Sequence, residues 1–214
     1  MKIFTCVLFG LGFLVSEPAM EQDAKGVLDK LSTKVQSYST IYAEYNLKIV
    51  DKGDTVVDSD GSAKIKGDSF SLKMEDFHIY SDGKSVWTID VESNDCFIND
   101  FEEMQEEQDI TPSELFTIWE NGFRQEHKGS ITEDGKTYTQ INLYPTDSSK
   151  EYHTIVLHID EGKMEMKKAI IKGRDGQTMT YTMTSFTPNK TFTDADFEFQ
   201  QSDYPGCECD DQRF

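Results

Sequence analysis

The chain has 214 residues, with 40 acidic against 21 basic side chains and a formal net charge of −19. That balance excludes nucleic acid and an anionic membrane surface as partners, because both would be repelled. The length suits one sizeable core or two small domains.

Lys2 precedes an uncharged run over residues 3–15 that carries Phe4, Val7, Leu8, Phe9, Leu11, Phe13 and Leu14. This is the layout of a secretory leader, and it is too short to span a bilayer as a helix. Ser16 and Ala19 are the small residues at which cleavage would fall. The expectation is a signal peptide over 1–19 and a single exported domain over 20–214. Cys6 sits near the start of the apolar run and not at its end behind small residues, so it reads as filler and not as a lipid-attachment site. The leader takes Lys2 and Glu17 with it, so the acidic balance belongs to the mature domain. Three cysteines then remain: Cys96, Cys207 and Cys209. A bridge between Cys207 and Cys209 would be strained. Export permits a bridge from either one to Cys96, and three free thiols are equally compatible with the sequence.

Residues 23–38 predict an amphipathic helix, with Val27, Leu28, Leu31, Val35 and Tyr38 near helical spacing. The period then changes to two. Ile41, Ala43, Tyr45, Leu47 and Ile49 alternate with Tyr42, Glu44, Asn46 and Lys48, as in a strand with one apolar face. The same period returns in Phe70, Leu72 and Met74, then in Trp87, Ile89 and Val91. It recurs in Ile141 and Leu143, in Ile155, Leu157 and Ile159, and in Met179, Tyr181 and Met183 against Thr178, Thr180, Thr182 and Thr184. Turn dipeptides punctuate these runs: Asp60-Gly61, Asp82-Gly83, Asp134-Gly135, Glu161-Gly162 and Asp175-Gly176. The pattern predicts a long antiparallel meander. Tyr45, Leu47, Trp87, Ile89, Met179, Tyr181 and Met183 should face inward, and Lys48, Thr180 and Thr182 outward.

One segment breaks the meander. Residues 100–109 hold six acids and read as a solvated loop or helix edge, without the spacing of an EF-hand. Thr111-Pro112-Ser113-Glu114 is a capping box with proline at the first helical position. Leu115, Phe116, Ile118 and Trp119 follow, and Gly122 can close the helix. A weaker helical turn begins at Thr193, and a last strand falls near residues 207–210.

No catalytic motif accompanies this architecture. His153 and His158 are five residues apart in a strand and therefore point to opposite faces. There is no Gly-x-Ser-x-Gly elbow, His-Glu-x-x-His, phosphate-cradling loop or Cys-x-x-Cys. The expectation is a binding protein without catalysis, cofactor or metal. A curved meander with one apolar face needs cover, and the few helices either fill that face or leave room for an apolar ligand. Its Met, Tyr and Trp content favours a deformable cavity.

The chain resembles the outer-membrane lipoprotein carrier protein family, LolA. The likeness rests on the leader, the opening helix and the strand over 42–50. It rests also on Ser81-Asp82-Gly83-Lys84-Ser85-Val86-Trp87, on Thr111-Pro112-Ser113-Glu114-Leu115-Phe116, and on the ending Tyr204-Pro205-Gly206-Cys207-Glu208-Cys209-Asp210-Asp211-Gln212-Arg213. The resemblance implies an incomplete antiparallel β-barrel with a helical lid around an apolar cavity. It implies a soluble periplasmic monomer that binds the acyl chains of lipoproteins. Such a carrier moves them from an inner-membrane ATP-driven exporter to an outer-membrane acceptor. The alternative on the same fold is a periplasmic lipid-binding sensor or signalling module. The cavity wall would be Tyr45, Leu47, Phe70, Leu72, Trp87, Ile89, Met179, Tyr181 and Met183, and the lid Leu115, Phe116, Ile118 and Trp119. One departure stands out. The family carries a lid-tethering arginine, usually followed by proline, before the strand that here holds Phe70. The matching stretch is Lys64-Ile65-Lys66-Gly67-Asp68-Ser69-Phe70, where only Lys66 offers a nearby charge.

Overall fold

The computed structural model describes residues 19–107 and 117–213, with side chains over 23–104 and 117–213. The leader through residue 18, the capping box at 111–114 and the lid residues Leu115 and Phe116 lie outside the described residues.

Helix α1 (Ala19–Gln36) opens the fold. Ala24, Val27, Leu28 and Leu31 are buried at helical spacing, which gives the helix one apolar stripe. Twelve strands follow: β1 (Ile41–Asp51), β2 (Asp54–Lys66), β3 (Ser69–Lys73), β4 (Phe77–Ser81), β5 (Ser85–Asp90), β6 (Asp95–Asp100), β7 (Phe123–Glu133), β8 (Lys136–Pro145), β9 (Tyr152–Asp160), β10 (Glu165–Gly173), β11 (Thr178–Pro188) and β12 (Cys209–Asp211). They form one curved sheet in the order β12-β6-β5-β4-β3-β2-β1-β11-β10-β9-β8-β7. Every pairing is antiparallel except β12 on β6, which is parallel. The strands β12 and β7 are separate edges, so the sheet does not close into a barrel.

Four of the five turn dipeptides lie between strands, and the fifth does not. Gly61 lies inside β2, opposite Tyr45. A Cβ at Gly61 would lie 2.8 Å from Tyr45 Cζ, so the glycine is there to let a ring cross the strand and not to turn the chain. The β1–β2 turn is instead Lys52-Gly53, with φ of 51° and 97°. Both residues are left-handed, as a two-residue hairpin requires.

The two ends of the β6–β7 connection and the C-terminal segment pack on opposite faces of the sheet. Between β6 and β7 the chain passes from one side of the sheet to the opposite edge. It begins with helix α2 (Phe101–Glu107), where Phe101 and Met104 are buried. Part of the six-acid stretch is thus a helix edge whose apolar residues are core. The connection ends in a 3-10 turn, Ile118–Glu120. Phe101, Met104 and Trp119 share one cluster with α1 and the apolar residues of β1, β8, β9 and β10, which defines the inner face.

The outer face of β4–β6 is covered by the C-terminal segment. Tyr204 and Cys207 form a second cluster with Tyr80, Ile89 and Cys96, against which Trp87, Phe199 and Cys209 pack. The Tyr80 and Tyr204 hydroxyls are 2.7 Å apart. A disulfide joins Cys96 to Cys209, and Cys207 is a buried free thiol. The register explains the choice, because Cys209 lies directly beside Cys96 across the β12–β6 pair.

Thr193 caps a 3-10 turn over Asp194–Asp196 at the start of this segment. Lys64 Nζ donates to Asp196 Oδ1 at 2.6 Å, and the Thr193 backbone N–H donates to Oδ2 at 2.8 Å. These bonds, the lysine's first, hold the Asp196 carboxyl down at about 2. A folded pKa below the unfolded value near 3.9 stabilises the fold above that value, and the contribution is lost as pH falls through about 2. Asp196→Asn should therefore flatten acid unfolding between about pH 4 and pH 2. Superimposable acid titrations of the variant and the parent, followed by circular dichroism, would contradict this.

Candidate functional site

Strand register arranges the inner face in rows. Met179, Ile49 and Val57 form one row, and Tyr181, Leu47 and Ser59 the next. Met183, Tyr45 and Gly61 make a third. A fourth runs Phe186, Ala43, Ala63, Leu72, Ile79, Thr88 and Phe97. Thr180 and Thr182 pair with Lys48 and Asn46 on the opposite face.

Cover is uneven along these rows. Over β8 and β9 the face is closed: Ile141, Leu143, Ile155, Leu157 and Ile159 are at most 2% exposed and share a cluster with Leu28, Leu31 and Trp119. Along the row from Leu72 to Phe97, and over the far end of β1 and β11, it is not, although Ile65, Phe70 and Val86 in the next row are buried. Ile49, Val57, Leu72, Ile79, Met179 and Tyr181 are only partly buried, and Phe77 and Phe97 are 44% and 38% exposed. Phe77 and Phe97 belong to this face, since Phe77 pairs with Asp90 and Phe97 with Thr88, both in phase with Val86. The result is an apolar strip that is only partly covered, with Tyr45, Leu47, Ala43 and Ala63 buried between its two barer ends. Helix α1 and the 3-10 turn spend their apolar area on the β7–β10 half, and so cannot also cover this one.

Most of the wall residues expected from sequence meet here. Tyr45, Leu47, Phe70 and Met183 are buried in the main cluster, and Leu72, Met179, Tyr181 and Ile118 pack against it. Trp87 and Ile89 do not join them. They occupy the second cluster, on the outer face, under the C-terminal segment. Val86 takes the inner position in β5. Trp87, Ile89 and Val91 do alternate, but both faces of this strand are apolar, and periodicity alone does not say which one meets α1.

Trp119 is 1% exposed and fixed. Its indole N–H donates to Ser32 Oγ of α1 at 2.7 Å, and its carbonyl accepts from Gln125 Nε2 at 2.8 Å. It therefore anchors the crossing connection to the core. Lys66 is exposed and pairs with Asp194 at 3.1 Å, on the side of the C-terminal segment. It neighbours Ile65, whose side chain is inward, so it points away from the strip and cannot stand in for an inward tether.

Sequence reasoning did not single out Val57, Phe77, Ile79 or Phe97. β2 holds few large apolar residues, and β4 and β6 are short, so none presents a long alternating run. Val57 and Ile79 show themselves only as strand partners of Ile49 and Leu72, and Phe77 and Phe97 only as partners of Asp90 and Thr88 in β5.

Besides Ser59, Thr88 and Asp90, the inner face carries two phenols. Tyr45 is 7% exposed, and burial, with Tyr181 nearby, pushes its phenol up to about 12. Burial also raises Tyr181. The two rings lie 5.9 Å apart, centroid to centroid, and tilted. A separate cleft of about 270 Å³ opens beside the 3-10 turn, where Ile118, Phe123 and Tyr152 mix with Glu120, Asp147 and Lys150. Among the described residues no cluster of three or more His, Cys, Asp or Glu is placed to hold a metal ion, and no helix is long and apolar enough to cross a membrane.

A family model for the outer membrane lipoprotein carrier protein LolA matches residues 36–200. No curated protein sequence matches the chain. Among solved structures, an uncharacterized conserved protein from Thermus thermophilus superimposes with a TM-score of 0.58 at 9% identity, over 89% of this chain and 100% of that one. The Mycobacterium tuberculosis lipoprotein LppX gives 0.48 at 13% identity, over 79% and 98%. A LolA superfamily protein from Nitrosomonas europaea gives 0.40 at 9% identity, over 82% and 97%. At 9% identity the likeness to the Thermus thermophilus protein is one of fold alone.

Proposed function

The chain belongs to the outer membrane lipoprotein carrier protein LolA family, and from that premise we propose that it is an exported periplasmic carrier for the acyl chains of lipoproteins. It takes them from an inner-membrane ATP-driven exporter and delivers them to an acceptor at the outer membrane. The observation that carries this reading is the half-covered apolar strip on the inner face. An acyl chain loses roughly 0.8 kcal/mol for each CH₂ group moved from an apolar site into water, so it does not cross an aqueous compartment unshielded at a useful rate. A carrier must bury the chain and still release it. A strip whose residues are only partly covered, and which includes Met179 and Met74, meets both demands, because thioether side chains repack around ligands of varied shape.

In this reading the binding wall is Leu72, Ile79, Met179 and Tyr181, backed by Tyr45, Leu47, Phe70 and Met183. Ile118, Leu115 and Phe116 belong to its cover. Trp119 anchors that cover to α1, and Trp87 and Ile89 take no part. A charge of −19 keeps such a carrier off anionic bilayers between its donor and its acceptor.

Native mass spectrometry of protein purified from a periplasmic fraction tests the proposal. The expected spectrum contains adducts of acylated peptide or lipid that vanish under denaturing conditions. A bare mass in every preparation, together with no uptake of a synthetic diacylated lipopeptide, would sink the carrier reading.

A further inference from the structure

The C-terminal segment brings all three cysteines of the described residues to one place. Cys96 and Cys207 are 2% and 1% exposed in the outer cluster, and Cys209 packs against it. One bond joins Cys96 to Cys209, so Cys207 is a thiol held in the same cluster as a disulfide. Cys207 and Cys209 are two positions apart, so an extended chain presents both to the same face of β6.

Strand pairing offers Cys207 the position that Cys209 now holds. β12 lies on β6 with Cys209 beside Cys96, Asp210 beside Phe97 and Asp211 beside Ile98. A slip of one residue would turn every side chain of β12 over, but a slip of two keeps each on its face. That slip puts Cys207 beside Cys96 and Cys209 beside Ile98. β12 is free to make it, being three residues long, parallel and at the sheet edge. An advance of two residues takes about 7 Å of chain. Unwinding the 3-10 turn Gln201–Asp203 yields roughly 4 Å of it. The turn at Pro205-Gly206, where Gly206 has φ of 81°, holds the rest.

Several contacts favour the observed register. The Tyr204 hydroxyl bonds His78 and Tyr80, and Gln201 donates to the Tyr204 and Cys207 carbonyls at 3.1 and 2.8 Å. Arg213 reaches Ser85, and the slip would set Asp211 beside Asp100. Burial, and after it Asp95, raises the Cys207 thiol, so at rest it stays protonated and inert. The slipped register is therefore the minor one.

We propose that Cys207 exchanges with the Cys96–Cys209 disulfide and ratchets the C-terminal strand two residues along β6. The Cys207 thiolate attacks Cys96 Sγ. A Cys96–Cys207 bond forms and the Cys96–Cys209 bond breaks. Cys209 leaves with the electron pair as a thiolate and takes up the proton that Cys207 lost. One disulfide and one thiol remain, so no oxidant or reductant is consumed. The move draws Tyr204 off Tyr80 and His78 and bares the outer face of β4 and β5, which the resting form keeps covered.

The native oxidised protein is incubated without reductant, quenched in acid, unfolded in acidic denaturant and labelled with N-ethylmaleimide. Exchange stalls there because thiolate is scarce. Tandem mass spectrometry then locates the label. Cys207 should carry most of it and Cys209 a minor share, accompanied by a Cys96–Cys207 cross-linked peptide. Tyr204→Phe removes the hydroxyl that ties the resting register. It should raise the Cys209 share roughly 3- to 10-fold, the range that one or two net hydrogen bonds support. Label confined to Cys207 in both proteins overturns the exchange. Label on Cys96 overturns it too, because that marks a Cys207–Cys209 bond and no movement along β6. An equal Cys209 share in parent and Tyr204→Phe overturns the ratchet, since exchange then proceeds without drawing Tyr204 away.

Discussion

Replacing Cys209 by serine, in a Cys207→Ser background that prevents re-pairing, lowers the free energy of unfolding by about 4 kcal/mol. The bond closes a span of 113 residues, so its loss returns a large loop entropy to the unfolded chain. Little else holds β12 in place. It is three residues long and pairs in parallel at a sheet edge. Arg213 donates to Ser85 Oγ at 2.7 Å, and the Gln212 backbone N–H donates to the Ile98 carbonyl at 2.9 Å. With the link gone, the C-terminal segment loosens over Tyr80, Trp87 and Ile89, the outer cluster it covers. Urea unfolding followed by fluorescence measures the loss, and reductant should bring the Cys207→Ser protein to the same midpoint. Identical midpoints in the oxidised protein and the double variant would show that the bridge adds no stability.

Trp119→Ala should cost about 4 kcal/mol. The side chain is 1% exposed, and the indole leaves a cavity between α1 and the closed half of the inner face. The variant also strips Ser32 Oγ of its donor, at a further cost of about 1 kcal/mol if no water replaces it. Trp119→Phe keeps most of the volume and loses the bond, so it should cost about 1–2 kcal/mol. Denaturant unfolding of both variants separates packing from hydrogen bonding. The connection between β6 and β7 is pinned at one end by Phe101 and Met104 and at the other by Trp119. Amide exchange in α2 should accelerate in Trp119→Ala more than in Trp119→Phe. Equal stability of all three proteins would mean that Trp119 is not the anchor its burial indicates.

The two variants act on different faces of one sheet. Cys209 and the C-terminal segment cover the outer face of β4–β6, and Trp119 secures the β7 end of the β6–β7 connection on the inner face. A loss confined to the C-terminal side should therefore spare ligand uptake, and loosening at Trp119 should alter it.

By itself the sequence determined the class of fold and most of the inner face. The two-residue period of Ile41 through Ile49 fixes which side of β1 is apolar, because over that run the other side carries Tyr42, Glu44, Asn46 and Lys48. The same holds for β11, where threonines alternate with Met179, Tyr181 and Met183. The helical spacing of Val27, Leu28 and Leu31 likewise fixes one stripe of α1. These are local properties of the chain, set by the pleat and by the helical turn.

Only the tertiary structure decided three further matters. Trp87 and Ile89 turn outward because the C-terminal segment, more than a hundred residues away in sequence, supplies a second apolar surface for them. Cys96 bonds Cys209 and not Cys207 because β12 lies parallel to β6 in that register. Gly61 serves a ring on a neighbouring strand, where sequence alone reads Asp-Gly as a turn. The half-covered strip is of the same kind. It exists because α1 and the 3-10 turn are too small to cover twelve strands, and which half they leave bare depends on where the chain crosses the sheet. In each case the deciding partner is remote in sequence, and local periodicity carries no information about a remote partner.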